Sequence, residues 1–153
     1  MTESMQTRMA RWGFNLFPAF RGTGGRITYI AGDWSVVRVK VPLSWRTRNY
    51  VGTIFGGSMY AAADPIYMIM LIKQLGHDYT VWDKGAQIRF HKPGRTTLYA
   101  QFEIGQDEIA QIREALQSQP KVDREYTVAL LDRSGEIHAT IQKTIHIRRR
   151  ERS

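Results

Sequence analysis

The feature that most constrains this chain is a stretch of fourteen residues, 59–72, that is apolar or weakly polar on every side. Asp64 is its only ionisable residue. An amphipathic surface helix would show a polar face, so this stretch predicts a helix that other structure encloses. We therefore expect Asp64 to lie in a core, where an isolated carboxylate is costly unless it is paired, hydrogen-bonded or functional.

Alternating apolar and polar residues predict β-strands on both sides of this stretch. The clearest lies at residues 35–41, and a weaker one is expected at residues 26–31. Four more are expected after the stretch, at residues 80–91, 97–104, 126–131 and 137–147. Short loops favour antiparallel neighbours, and a helix that is apolar all round needs a sheet that curls around it. The prediction is an α+β fold with a curled antiparallel sheet wrapped around a long central helix.

Two further helices are expected. Apolar residues with the spacing of one helical face predict a short amphipathic helix within residues 2–16, covering a sheet edge or the core; they are Met5, Met9, Trp12 and Leu16. A second amphipathic helix begins at Asp107, inserted between strands. We expect residues 1–153 to form a single domain, with an N-terminal helical arm at 1–20 and a basic tail at 148–153.

The charge balance permits several partners. The 22 Lys and Arg residues against 14 Asp and Glu give a net charge of +8, which suits nucleic acid, a phosphate-bearing small ligand or simply a solvated surface. Much of the excess is in the C-terminal arginines and the rest is scattered, so nucleic acid is the least favoured partner. The longest apolar run falls short of the roughly 18 to 20 residues of a membrane span, and no secretory signal is recognisable. We expect a cytoplasmic protein without a membrane partner.

The composition also excludes several kinds of chemistry. The chain has no cysteine, which excludes disulfides, thiolate zinc sites and a cysteine nucleophile. Its four histidines lack metal-ligand spacing, so no metal site is expected. His138 and His146 fall on the polar face of the last strand, where we expect them to be solvated.

The spacing Asn49-x5-Phe55-Gly56-Gly57-x6-Asp64 resembles that of hotdog-fold thioesterases of the phenylacetyl-CoA (PaaI-like) type. That family reads N-x-x-G-x-x-HGG with an acidic residue in the central helix, and Phe55 stands here at the histidine. Residues 88–93 are similar to the family's I-x-[FY]-x-x-P strand. The resemblance covers most of the chain beyond residue 35 and is nearest to an uncharacterised branch that carries FGG and an Asp-Pro pair.

The resemblance implies a hotdog fold and hydrolysis of an acyl thioester. Asp64 would attack the thioester or activate a water as general base. Gly56 and Gly57 precede the helix, where unpaired backbone N–H groups could form an oxyanion hole. Asn49 would orient substrate or water. The resemblance also implies a homodimer or dimer of dimers, and coenzyme A as part of the substrate with no separate cofactor.

Two alternatives apply to the central motif. Asp64 is also suited to be the N-cap of a helix that begins at Pro65, whereas Pro65 within a continuous helix would introduce a kink. Phe55 cannot donate a hydrogen bond to a thioester as histidine would. A non-catalytic acyl-CoA-binding or lipid-binding hotdog protein is therefore the alternative function.

Phe55 and three further residues are candidates for substrate binding. Asp83 could pair with Asp64 and raise one pKa, or form a salt bridge with Lys84, which is the favoured interpretation. Lys92 and Arg95 flank a turn and could hold coenzyme A phosphates, although cations in loops are usually solvated.

Overall fold

In the computed structural model, which describes residues 2–151, six strands form one antiparallel sheet. The strands are β1 Arg26–Ile30, β2 Val36–Val41, β3 Tyr79–Phe90, β4 Leu98–Glu103, β5 Lys121–Leu131 and β6 Ile137–Arg149. Their order is β1-β2-β4-β5-β6-β3, so β1 and β3 are the two edges. Each strand predicted from alternation is present, and the predicted α+β class is confirmed.

Five helices accompany the sheet in the described part of the chain. They are α1 Met5–Leu16, α2 Pro18–Gly22, α3 Gly56–Ala63, α4 Ile66–Leu75 and α5 Gln106–Ser118. The predicted central helix is thus divided into α3 and α4, which meet at Asp64 and Pro65. Both residues keep right-handed helical backbone angles, so the helical path continues through the break. The interruption occurs where proline lacks the N–H that a continuous helix requires.

The core lies between one face of the sheet and the α3–α4 segment. Met59, Met70 and Leu71 from the helices are almost fully buried, as are Phe102 of β4 and Ile141 of β6. Burying a side chain of this size contributes roughly 1.5 to 3 kcal/mol. Most of residues 59–72 are therefore enclosed, as predicted, whereas Ile72 and the Asp64 side chain are partly exposed.

The N-terminal helix is present, but a different face packs. Asn15 of α1 hydrogen-bonds both the N–H and the C=O of Ile27 in edge strand β1, each at 2.8 Å. The expected covering of a sheet edge is thus confirmed. However, the contacts come from the face of Thr7, Ala10 and Phe14, whereas the apolar stripe predicted from the spacing faces outward.

Strand β6 extends into the region that was predicted to be a basic tail. Arg148 and Arg149, expected in a basic tail, are the last two residues of β6 and pair with Thr80 and Tyr79. The rest of the predicted tail includes residues 152–153, which lie outside the described residues. Within residues 2–151, no helix is long and apolar enough to cross a membrane.

Candidate functional site

A buried lysine lies at the centre of the candidate site. Lys143 is on β6 between Ile141 and Ile145, and its side chain is 1% exposed. Because side chains on a strand alternate between faces, the pattern that places residues 141 and 145 toward the core places Lys143 there too. Sequence reasoning missed this residue. The signal was a lysine at a core-facing position of an otherwise isoleucine-rich strand face.

The Lys143 ammonium holds two carboxylates. It donates a hydrogen bond to Oδ1 of Asp64. It also lies 3.0 Å from Oδ1 of Asp83, an ion pair without the alignment of a hydrogen bond. The sequence-based interpretation had proposed that Asp83 could approach Asp64, and the structure brings the two together through a cation on a third element.

Asp64 is anchored through one oxygen. Besides the Lys143 contact, Oδ1 accepts a 2.8 Å hydrogen bond from the Tyr60 hydroxyl, one turn earlier in α3. Oδ2 has no hydrogen-bond partner among residues 2–151, and the Asp64 side chain is 41% exposed. The carboxylate is thus fixed by protein groups on one side and open to water or a ligand on the other.

This geometry corrects two expectations about Asp64. The side chain does not lie in an apolar core, because it is partly exposed and makes an ion pair. Nor does it cap a helix: α4 has no side-chain cap, and Asp64 itself has helical angles of φ −50° and ψ −50°. Capping is therefore wrong, and the ion pair accounts for the carboxylate within the helical segment.

A β-bulge directs Asp83 toward Lys143. Asp83 pairs with Ile145 of β6 and Gly85 pairs with Thr144, so Lys84 is the extra residue. Bulges change the direction in which side chains point and are frequent beside active sites. Lys84 instead lies 2.5 Å from Asp123. The predicted salt bridge between Asp83 and Lys84 is therefore wrong.

The electrostatics of the cluster follow from burial and from the three charges. Burial raises the pKa of Asp83, an effect opposed by the Lys143 ammonium and reinforced by the negative charge of Asp64. Burial alone would lower the pKa of Lys143, but the two carboxylates outweigh it and raise that pKa above its ordinary value. Lys143 is consequently a cation at neutral pH. Burial and the Asp64 hydrogen bond also raise the pKa of Tyr60.

The start of α3 presents backbone amides beneath two aromatic rings. The first N–H groups of a helix have no intrahelical acceptor, and α3 begins at Gly56. A Cβ on Gly56 would lie 2.8 Å from the Phe90 ring, and one on Gly57 would overlap the Phe55 ring. Glycine therefore allows both rings to approach the backbone. Phe55 and Phe90 are 57% and 54% exposed, which leaves room for a ligand above them.

The helix start and Asp64 are far apart within the chain. Gly56 and Asp64 are eight residues apart, which corresponds to about 12 Å along a helix that rises 1.5 Å per residue. Groups that act on one carbonyl must each approach it to about 3 Å. The predicted amides and the predicted base are thus not brought together by a single copy of the chain.

Asn49 closes the loop that leads into α3. Its Oδ1 accepts hydrogen bonds from the N–H groups of Val51 and Thr53, at 3.2 and 2.9 Å. Its Nδ2 donates to the Thr53 hydroxyl at 2.8 Å. Both polar ends of the side chain are therefore engaged in the loop. A role in orienting substrate or water remains a prediction.

The turn that carries Lys92 and Arg95 lies beside this loop. The Gly94 carbonyl accepts a 2.8 Å hydrogen bond from the Ile54 N–H, two residues before α3 begins. Lys92 forms an ion pair with Glu136, while Arg95 is exposed and has no ion pair within residues 2–151. Of the two cations, Arg95 is thus the one open to a ligand phosphate.

A second cluster of titratable groups closes the turn between β5 and β6. His138 is buried, with Nδ1 3.0 Å from the Pro93 carbonyl and Nε2 3.1 Å from Asp132. His146 is also buried and lies 2.6 Å from Asp123, so the expected solvation of both histidines is wrong. Although His138, Asp132 and Glu136 are close enough to share a cation, Lys92 already pairs with Glu136. The absence of a metal site remains a prediction.

The family relationship covers nearly the whole chain. A family model described as a domain of unknown function, DUF4442, matches residues 6–147. The chain belongs to the DUF4442 family. No curated protein has a sequence that matches it.

Solved structures similar to this DUF4442 protein include several thioesterases. A protein of unknown function and probable thioesterase from Pseudomonas aeruginosa has a TM-score of 0.84 at 18% identity, covering 98% of this chain and 100% of that one. A thioesterase from Haemophilus influenzae has a TM-score of 0.69 at 14% identity, with coverages of 97% and 93%. The E. coli PaaI protein from the phenylacetic acid degradation operon has a TM-score of 0.64 at 15% identity, with coverages of 95% and 93%. The expected hotdog fold is confirmed.

Proposed function

We propose that this protein is a thioesterase that hydrolyses an acyl thioester of coenzyme A. The observation that carries the proposal is Asp64, fixed through Oδ1 by Lys143 and Tyr60 while Oδ2 is left available. A carboxylate held in this way can bind and activate a water. The hotdog fold shared with thioesterases supports the same reaction class.

We further propose that the active unit is a homodimer, or a dimer of dimers. Because Asp64, just after α3, and Gly56, at its start, are about 12 Å apart, one carbonyl can meet both only if the helix start comes from a second protomer. Strand β3 supports this arrangement, since it is an outer strand of twelve residues with a largely exposed surface. Long exposed edges readily pair with another chain. Asp64 of one protomer would then act on a thioester bound at the partner subunit's Gly56 and Gly57.

In the proposed reaction, Asp64 takes a proton from water as the water oxygen attacks the thioester carbonyl carbon. The N–H groups of Gly56 and Gly57 stabilise the negative charge that develops on the carbonyl oxygen. The carbon–sulfur bond then breaks, and the thiolate takes up the proton, giving the free acid and the thiol. Phe55 and Phe90 would pack against the bound thioester, and Arg95, with Lys92 released from Glu136, would bind phosphate groups of the carrier.

Asp64 could instead attack the carbonyl carbon directly. This route gives a mixed anhydride, which water then hydrolyses. Single turnover in ¹⁸O-labelled water tests for direct attack. If water attacks the Asp64 carbonyl carbon of the anhydride, the label enters the Asp64 carboxylate and the acid product is unlabelled. General base catalysis places the label in the acid product and none in the protein, as does hydrolysis of the anhydride at the acyl carbonyl carbon, so label in Asp64 identifies direct attack.

Release of free thiol from a panel of acyl-CoAs tests the proposed activity. The wild-type protein should release thiol, and Asp64→Asn, which keeps the side-chain shape, should abolish the release. Asp107→Asn is the matched control, because Asp107 is an exposed carboxylate in the first turn of α5. Equal turnover by Asp64→Asn and wild type, with the fold intact, would remove Asp64 from the reaction.

A second candidate function is non-catalytic binding of an acyl-CoA or lipid. The observation that favours it is the Phe55 ring, which lies against Gly57 where a thioesterase of the resembled type has histidine. Calorimetric titration with a non-hydrolysable acyl-CoA analogue separates the two functions. Saturable binding without thiol release from any acyl-CoA would favour the binding protein. If thiol release then appeared in Phe55→His, the lack of activity in the wild type would be due to Phe55.

A further inference from the structure

A row of large apolar side chains is exposed along α1 and just beyond it. We refer to this row as the α1 stripe, which consists of Met5, Met9, Trp12, Leu16 and Phe17. Each of the five is between 59% and 80% exposed. Single exposed apolar residues are ordinary, but a contiguous row marks a surface that another molecule covers.

The outward direction of the stripe is fixed by bonds on the opposite face of α1. Asn15 holds the backbone of Ile27 through two hydrogen bonds. Arg11 pairs with Glu3 at 2.8 Å, and the Phe14 ring packs edge-on against Trp34. Turning the stripe inward would break all of these contacts. The exposed row is therefore part of the folded structure.

A cationic depression of about 640 Å³ adjoins the stripe. Trp12 and Leu16 form part of its wall, and Trp45 lies on another side, with the Arg46 guanidinium 5.1 Å from the Trp45 ring centre. Five cations line the depression and no carboxylate does so among the described residues; the cations are Arg21, Arg26, Lys40, Arg46 and Arg11, which is paired with Glu3. Apolar and tryptophan side chains next to Arg and Lys are the composition of helices that lie in a membrane interface.

We propose that the α1 stripe and the cationic depression dock the protein on the surface of an anionic lipid bilayer. The apolar side chains would enter the boundary between headgroups and acyl chains, with α1 parallel to the surface. Arg21, Arg26 and Arg46 would contact lipid phosphates. The sequence-based expectation of no membrane partner rested on the lack of an apolar stretch long enough to span a bilayer. A helix that lies in the membrane interface does not need such a stretch.

An anionic bilayer fits this surface better than two other occupants. A second copy packed through a two-fold contact would place the same cations opposite one another. Nucleic acid would complement the cations but leave the apolar row exposed to water. The proposed docking also leaves β3 accessible, because α1 lies against β1 at the opposite edge of the sheet. It does not depend on thioester hydrolysis.

Flotation with lipid vesicles tests this proposal. The protein should float with vesicles of phosphatidylserine and phosphatidylcholine, remain unbound with phosphatidylcholine alone, and lose binding as salt is raised. Trp12→Ala combined with Leu16→Ala should lower binding at least about tenfold, because both anchors lose apolar surface. Arg21→Gln combined with Arg46→Gln should lower it by about fivefold for each cation. Ile137→Ala, at an exposed apolar residue outside the surface, should bind like wild type.

Three results would overturn the proposal. One is absence of wild-type binding to anionic vesicles. Another is unchanged binding by the Trp12 and Leu16 double variant, which would leave only charge and point to a polyanion such as duplex DNA. The third is a lower oligomer mass of that double variant by light scattering, which would assign the stripe to a second copy of the chain. Circular dichroism should show that all variants keep the wild-type fold, since the altered side chains are exposed.

Discussion

Replacing Lys143 with methionine tests the interpretation of the buried cation. Methionine keeps an unbranched side chain of similar length and removes the ammonium that joins Asp64 to Asp83. The Lys143 side chain is 1% exposed, so the methionine side chain would be buried in the same place. The substitution therefore isolates the electrostatic contribution of the lysine from its packing.

The expected loss of stability follows from the burial of the three groups. Removing one partner of a fully buried ion pair costs about 3 to 5 kcal/mol, because the other charge is left uncompensated. Asp64 and Asp83 are 41% and 26% exposed, so they regain part of their hydration. We expect Lys143→Met to lower the free energy of unfolding by about 1 to 3 kcal/mol at neutral pH. For a chain of this size, each kcal/mol lowers the Tm by about 2 to 4 °C.

The loss of stability caused by Lys143→Met should become larger as the pH rises. Burial already raises the pKa of Asp83, and removal of Lys143 takes away the charge that opposes this shift. An acid with a raised pKa binds protons more tightly in the folded state, so the variant's stability falls as pH rises through that pKa. In the wild type, the raised pKa of Lys143 keeps its contribution present at neutral pH and removes it only as the pH rises above about 10.5.

Urea unfolding of the purified proteins at pH 5 and pH 8 measures both effects. Lys84→Met is the control, since Lys84 follows Asp83 in the same strand but is exposed and pairs with Asp123 at the surface. It should change stability by less than about 1 kcal/mol. If Lys143→Met were no less stable than Lys84→Met at pH 8, or if its deficit were larger at pH 5, the assigned role of the cation would be wrong.

Two further predictions concern the proposed reaction, and one concerns α1. Gly56→Pro should lower kcat for thiol release by about 10²- to 10³-fold, because it deletes one donor of the oxyanion hole. The helix should still form, because proline is favoured at the first helical position and Phe55 before it has an extended backbone. Gly56→Ala, which crowds Phe90 but keeps the N–H, should lose less activity. Tyr60→Phe should reduce thiol release and change the unfolding free energy by about 1 kcal/mol or less, since it removes one hydrogen bond from Asp64. Asn15→Ala should lower the unfolding free energy by about 1 to 3 kcal/mol in denaturant titration, because two hydrogen bonds to Ile27 are lost.

The fold could be predicted from the sequence because a strand buried on one face carries an apolar residue at every second position. Val37, Val39 and Val41 of β2 are all nearly fully buried, as the alternation indicated. The apolar run at residues 59–72 likewise predicted an enclosed helical segment. These patterns involve residues that are close together in the chain, so one amino-acid sequence is enough to reveal them.

The site required information that local patterns do not contain. Lys143 is 79 residues from Asp64 in the chain, and only the pairing of β3 with β6 brings it close to Asp83 as well. The bulge at Lys84 could not be anticipated from residue types, and it reversed the expected partner of Asp83. In α1, periodicity identified an apolar face but not the direction in which it points.

Mixing two inactive variants tests most directly whether hydrolysis uses Asp64 of one protomer and the helix start of another. Asp64→Asn and Gly56→Pro would each be assayed alone for thiol release from the best acyl-CoA, and then after co-refolding in equal amounts. A site shared between protomers predicts recovery of about a quarter of wild-type activity, because half of the dimers are mixed and each has one intact site of two. A mixture no more active than the separate variants, in dimers shown to have exchanged, would contradict the proposed site.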